Sequence, residues 1–110
     1  MDLALERIER ADGVCVAVAG EVDADTAPRM LAELLAAVEC DPRLTVDLRG
    51  VTFMDSQGLA ALLRARQEAE LCGGTLRLEG VSRRVLKLLQ LTRMDSVFPL
   101  VAAPAEGTAG

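Results

Sequence analysis

The segment VTFMDSQGLAALL, residues 51–63, changes character in its middle. Val51 to Met54 favour an extended chain, whereas Leu59, Leu62 and Leu63 recur at helical spacing. Asp55, Ser56 and Gly58 stand at the junction. A strand running into a helix there leaves first-turn N–H groups without partners, and either Asp55 or Ser56 can cap them. A capping box asks for Glu or Gln three residues on, but the chain supplies Gly58 and Leu59. Gly58 weakens the helix start, yet lets the backbone of another molecule come close. The start of a helix also favours added negative charge, so a hydroxyl held there can carry a phosphate. Ser56 thus reads either as a cap or as a site of modification.

Working outward, LTVDL (44–48) alternates Leu44, Val46 and Leu48 against Thr45 and Asp47 and reads as a strand, followed by Arg49-Gly50. Downstream, Gly73-Gly74 ends the helix, and TLRLE (75–79) is another alternating strand. Ser82 then opens a helix with Val85, Leu88 and Leu89 inward and Val81 placed to staple against Leu86. Arg83 and Arg84 fall in its first turn, where the helix dipole disfavours cations. They read as a solvated pair or as a contact surface.

Upstream, LALERIE (3–9) and VCVAVAG (14–20) flank Asp12-Gly13, a turn signal, and read as a hairpin whose second strand ends at Gly20. Ala27, Met30, Leu31, Leu34, Leu35 and Val38 then mark an amphipathic helix. Asp25 or Thr26 can cap it, Pro28 suits its first turn, and Asp41-Pro42 closes it. The order is ββαβαβα, with a short strand after Val97. Alternating strands and helices imply an α/β domain with parallel strand pairs, helix-covered on at least one face.

Composition narrows the chemistry. The 110 residues carry a net charge of −5 and only two aromatic residues, both Phe, which disfavours nucleic acid as a partner. With no His, the commonest acid–base group and most transition-metal sites are absent. Asp23 and Asp25 share one loop, and Asp47 and Asp55 lie along another segment, but no nucleophile–base pair accompanies them and Lys87 is the single lysine. Phosphate-binding glycine loops are missing. No enzyme activity, cofactor or metal is expected. Cys15, Cys40 and Cys72 show no CxxC and read as small buried hydrophobes in a reducing compartment. Neither a signal peptide nor an apolar run of membrane-spanning length appears, so a soluble cytoplasmic protein without a membrane span is expected.

VDLRGVTFMDSQGLAALLRA (46–65) resembles the signature of the STAS domain of bacterial anti-sigma factor antagonists. VAGEVDADTAP (18–28) is similar to the family's loop before its first helix, and RVLKLLQLTRMDSVFPL (84–100) to its closing segment. The resemblance implies a STAS-type fold, with a mixed sheet of four to five strands and helices mainly on one face. It implies a STAS domain over residues 1–102, with 103–110 as a flexible tail. It further implies a switch: an anti-sigma factor that is a serine kinase phosphorylates the serine after the aspartate, here Ser56, and a serine phosphatase resets it. The unphosphorylated form binds the kinase and frees its sigma factor. Asp23, Asp55 and Gly58 are expected to meet the partner. Gln57 stands where Ser, Thr or Ala is frequent, and Arg93 where glycine is frequent. The alternative within the family is an unphosphorylated scaffold subunit of a transporter or stressosome-like assembly.

Overall fold

A computed structural model of the chain describes residues 3–101. The elements are β1 (Leu3–Arg10), β2 (Gly13–Val22), α1 (Ala27–Cys40), β3 (Arg43–Met54), α2 (Ser56–Leu71), β4 (Thr75–Glu79), α3 (Arg83–Leu91) and β5 (Leu100–Val101). They form one five-stranded sheet in the order β1-β2-β3-β4-β5. β1 and β2 are antiparallel; every later neighbouring pair is parallel. The expected mixed sheet is present, and residues 103–110 lie outside the described part of the chain.

Two glycine expectations are corrected. The hairpin loop is Ala11-Asp12 rather than Asp12-Gly13, because Arg10 pairs with Gly13, the first residue of β2. Gly13 takes φ 135°, and a side chain there would strike the backbone carbonyl of Arg43. Neither Gly20 nor Arg49-Gly50 ends a strand. β2 continues to Val22 and β3 to Met54 across irregular register, and a Cβ on Gly50 would lie 2.8 Å from that of Ala19. Gly50 permits close approach of the two paired strands, and Gly20 takes φ 113°.

Register explains the core. Val14 pairs with Leu44 and Leu44 with Leu76; Val16 pairs with Val46 and Val46 with Leu78. These rows point to one face, where Met30, Leu34, Ala37 and Val38 of α1 and Leu59, Leu62, Ala65 and Ala69 of α2 pack on them. Leu35, expected to face inward with them, is only half-buried. The opposite face carries Cys15, Thr45 and Arg77 in one row and Ala17, Asp47 and Glu79 in the next. Thr45 and Asp47 are buried there with Glu79. Arg10 grips Glu79 through two bonds of 2.9 and 3.1 Å, and Arg49 holds Asp47 at 2.9 Å. A buried carboxylate needs such a partner. Asp47 is therefore a structural group, remote from acid–base chemistry.

The helix ends are resolved by one device used twice. After α2, Gly73 N–H donates to the carbonyl of Glu70 and Gly74 N–H to that of Ala69, with Gly73 at φ 88°. After α3, Arg93 and Met94 make the same two bonds to Gln90 and Leu89, with Arg93 at φ 61°. Both are Schellman caps. The turn made by glycine after α2 is made after α3 by an arginine in the left-handed region. The cysteine expectation holds for Cys15 alone; Cys40 and Cys72 are exposed. Burial pushes the Cys15 thiol pKa up.

Candidate functional site

The site forms where β2 and β3 leave the sheet together. Glu21 pairs with Phe53 and Val22 with Met54, so Asp23 and Asp55 are the next residues on adjacent parallel strands. The Asp55 N–H donates to the Val22 carbonyl at 3.2 Å and locks the two exits side by side. Beyond them, α1 and α2 begin next to each other. Ala24, Ala27, Pro28 and Leu31 face Gln57, Ala60, Ala61 and Arg64 across a hollow of about 270 Å³.

Asp55 is the cap of α2. Its backbone is extended, and its Oδ1 accepts from the N–H of Gln57 at 2.9 Å and, at a long 3.4 Å, from that of Gly58. That settles the choice the sequence leaves open: the carboxylate caps, and Ser56 is the first helical residue, exposed to solvent. Its hydroxyl stands at the positive end of a 16-residue helix.

Gly58 packs into the domain. It is buried, and a Cβ there would lie 2.7 Å from both Met54 Cγ and Val22 Cγ1. The close approach that glycine permits is made inside the domain, between the first turn of α2 and the ends of β2 and β3.

Asp23 is half-buried and organises its own loop. Its Oδ1 accepts from Asp25 N–H at 2.9 Å and Thr26 N–H at 3.1 Å, and its own N–H donates to Thr26 Oγ1 at 3.0 Å. Thr26, the residue flanking α1, makes no side-chain cap bond; it is 4% exposed and donates through Oγ1 to the Glu21 carbonyl at 2.7 Å. Asp23 therefore serves the start of α1, a role that neither Asp25 nor Thr26 fills. Asp25 itself is exposed.

Burial also sorts the hydroxyls. Thr26 is shut inside, and Ser82 accepts the Val85 N–H at 3.2 Å as the cap of α3. Thr52 and Ser96 are exposed, as Ser56 is, but only Ser56 begins a helix of this length. Among the described residues, no group of carboxylates and cysteines is arranged to hold a metal ion, and no helix is long and apolar enough to cross a membrane. No local pattern in the chain marks the hollow between α1 and α2. Its lining comes from two helices brought together only by long-range pairing.

Comparison with known proteins places this arrangement. Residues 6–102 match the family described as "Mlab, STAS domain". The chain is 28% identical over 107 residues to the anti-sigma-B factor antagonist of Bacillus subtilis, covering 97% of each protein. It is 32% identical over 102 residues to the protein of the same name from Listeria monocytogenes, covering 91% of this chain and 90% of the relative. The crystal structure of an anti-sigma factor antagonist from Mycobacterium paratuberculosis superposes with a TM-score of 0.82 at 26% identity, over 96% of this chain and 88% of that one. With the mixed five-stranded sheet and the paired exits of β2 and β3, these matches make the chain a member of the STAS-domain family.

Proposed function

We propose that this protein is an anti-sigma factor antagonist that switches partners through Ser56. The observation that carries the reading is the division of labour at the start of α2: Asp55 makes the cap, so the fold does not need the exposed Ser56 hydroxyl. The two relatives named anti-sigma-B factor antagonists support the same reading. In this scheme the partner is an anti-sigma factor that is also a serine kinase. Unphosphorylated, the protein occupies that kinase in the cytoplasm and frees its sigma factor. Transfer of the γ-phosphoryl group of ATP to Ser56 Oγ ends the complex, and a serine phosphatase restores the hydroxyl. The chain is the substrate of both reactions and catalyses neither.

The neighbourhood suits the role. Asp23 and Asp55 flank Ser56 with negative charge, which favours a basic partner surface and steers its approach. The hollow lined by Ala24, Pro28, Ala60 and Ala61 offers that partner a seat for an apolar side chain. Incubation with the cognate kinase and ATP, followed by mass spectrometric mapping, tests the assignment. One phosphate on Ser56 is expected. Phosphate on Thr52, Ser82 or Ser96 with Ser56 bare would contradict it.

A further inference from the structure

The first turn of α3 carries Arg83 and Arg84 at the positive end of the helix, an unfavourable place for a cation. Lys87 follows one turn on. Among the described residues, ion pairs engage Arg7, Arg10, Arg43, Arg49, Arg66 and Arg77, and none engages these three. Three cations thus stand together at one helix end of a protein of net charge −5, and among the described residues no ion pair neutralises them. The first N–H groups of α3 add to it, since Ser82 Oγ takes only that of Val85.

The same three cations rim an apolar groove. Phe53 and Met54 at the end of β3 and Leu88 and Leu91 of α3 form its floor, and the groove, open to solvent, has a volume of about 570 Å³. Phe53 is 42% exposed and Leu91 74%. Large apolar side chains left in water beside uncompensated cations specify a ligand with two parts: an anionic head and an apolar body. The space lies in the range of small-molecule sites.

We propose that this groove binds a single-chain anionic amphiphile, a phosphate monoester or carboxylate on an alkyl chain, with the head held by Arg83, Arg84 and Lys87. The chain lies over Phe53, Met54, Leu88 and Leu91. The ligand comes as a free monomer, because a domain of net charge −5 is repelled by an anionic bilayer and the groove accommodates one molecule. The proposal stands independently of the phosphorylation of Ser56.

The test is a ¹H–¹⁵N correlation titration of the whole chain with decyl phosphate below its micelle threshold. Decyltrimethylammonium, inorganic phosphate, an acidic peptide without apolar residues and phosphatidic acid vesicles are run in parallel. Decyl phosphate is expected to shift Phe53, Arg84, Lys87 and Leu91 saturably, with a dissociation constant on the order of 0.1–1 mM. The cationic amphiphile and bare phosphate are expected to bind at least about tenfold more weakly, since each lacks half of the recognition. Arg83→Glu with Arg84→Glu, and separately Leu91→Ser, should each weaken decyl phosphate binding while leaving the rest of the spectrum unchanged. Equal binding of both amphiphiles, shifts centred elsewhere, indifference to both variants, or binding only to the peptide or the vesicles would overturn the proposal.

Discussion

The Val22 carbonyl accepts the Asp55 N–H at 3.2 Å, one residue beyond the point where Val22 pairs with Met54 in the parallel ladder. This bond holds two loops, separated by more than 30 residues in the chain, together at one end of the sheet, where β2 and β3 finish. Asp23 and Asp55 thereby follow the last paired residues of two adjacent strands, and Ser56 comes one residue after Asp55.

Asp55 and Ser56 should separate cleanly by mutation. Asp55→Ala removes the side chain that accepts from Gln57 and Gly58, and loss of such a cap costs about 1 kcal/mol. Ser56→Ala removes an exposed hydroxyl outside the cap and should change stability by no more than about 0.5 kcal/mol. Urea unfolding of the two variants beside the wild type measures both. A larger loss for Ser56→Ala than for Asp55→Ala would reverse the assignment of the cap.

Gly58→Ala should destabilise the fold although alanine is the better helix former. The propensity gain is about 1 kcal/mol. Against it stands a Cβ at 2.7 Å from the fully buried Val22 and from Met54, and overpacking costs about 1–3 kcal/mol. Met54 can yield, but the β-branched Val22 is stiff. A net loss near 1 kcal/mol is expected in thermal or chemical unfolding, and a net gain would show that the first turn of α2 packs less tightly than it does here.

Arg93→Gly should stabilise the protein. Arg93 holds φ 61° at the Schellman cap of α3, where Gly73 holds φ 88° in the matching position after α2. The left-handed conformation costs a side-chain-bearing residue roughly 1–2 kcal/mol, partly offset by the larger unfolded-state entropy of glycine. A gain of about 0.5–1 kcal/mol in urea unfolding is expected. A loss would mean that the arginine side chain contributes more than its backbone costs.

Asp23 carries both a structural and an electrostatic role, and two variants divide them. Asp23→Ala loses the bonds from Asp25 and Thr26 and should cost about 0.5–2 kcal/mol of stability. Asp23→Asn keeps an acceptor oxygen but removes the charge, so it should fold nearly as well. In the proposed complex, both variants should associate with the kinase more slowly and with a flatter salt dependence. Association rates measured across a range of salt concentrations would contradict the steering role if Asp23→Asn matched the wild type throughout.

The sequence carries the element order, the core rows and the strand-to-helix junction at Asp55-Ser56 because each is written in local periodicity. It misleads at its glycines. Gly20 and Gly50 look like junctions, yet they lie within strands: Gly20 takes φ 113°, and a Cβ on Gly50 would meet Ala19 of the neighbouring strand. Thr45 and Asp47 alternate as a solvent face should, but Arg49, Arg77 and Arg10 cover that face, two of them from other strands. The site was legible as a list of residues and illegible as an arrangement. Whether Asp55 or Ser56 caps depends on backbone angles, and where Gly58 points depends on Val22, more than 30 residues away.

The central claim is that phosphate on Ser56 breaks a complex without disturbing the fold. A phosphoserine adds about −1.5 to −2 charge at pH 7. At the start of α2 the helix dipole favours that charge by roughly 0.3–1 kcal/mol, so the domain should remain folded. Pressed into an interface beside Asp55, the same group carries its desolvation and bulk, on the order of several kcal/mol. The most direct measurement is the dissociation constant of the kinase complex for the unphosphorylated protein, the Ser56-phosphorylated protein and Ser56→Ala, with folding monitored in parallel by circular dichroism. The account predicts tight binding by the unphosphorylated protein and by Ser56→Ala, and binding roughly a thousandfold weaker, about 4 kcal/mol, for the phosphorylated form with its spectrum unchanged. Equal affinity of the phosphorylated and unphosphorylated proteins, both folded, would contradict it.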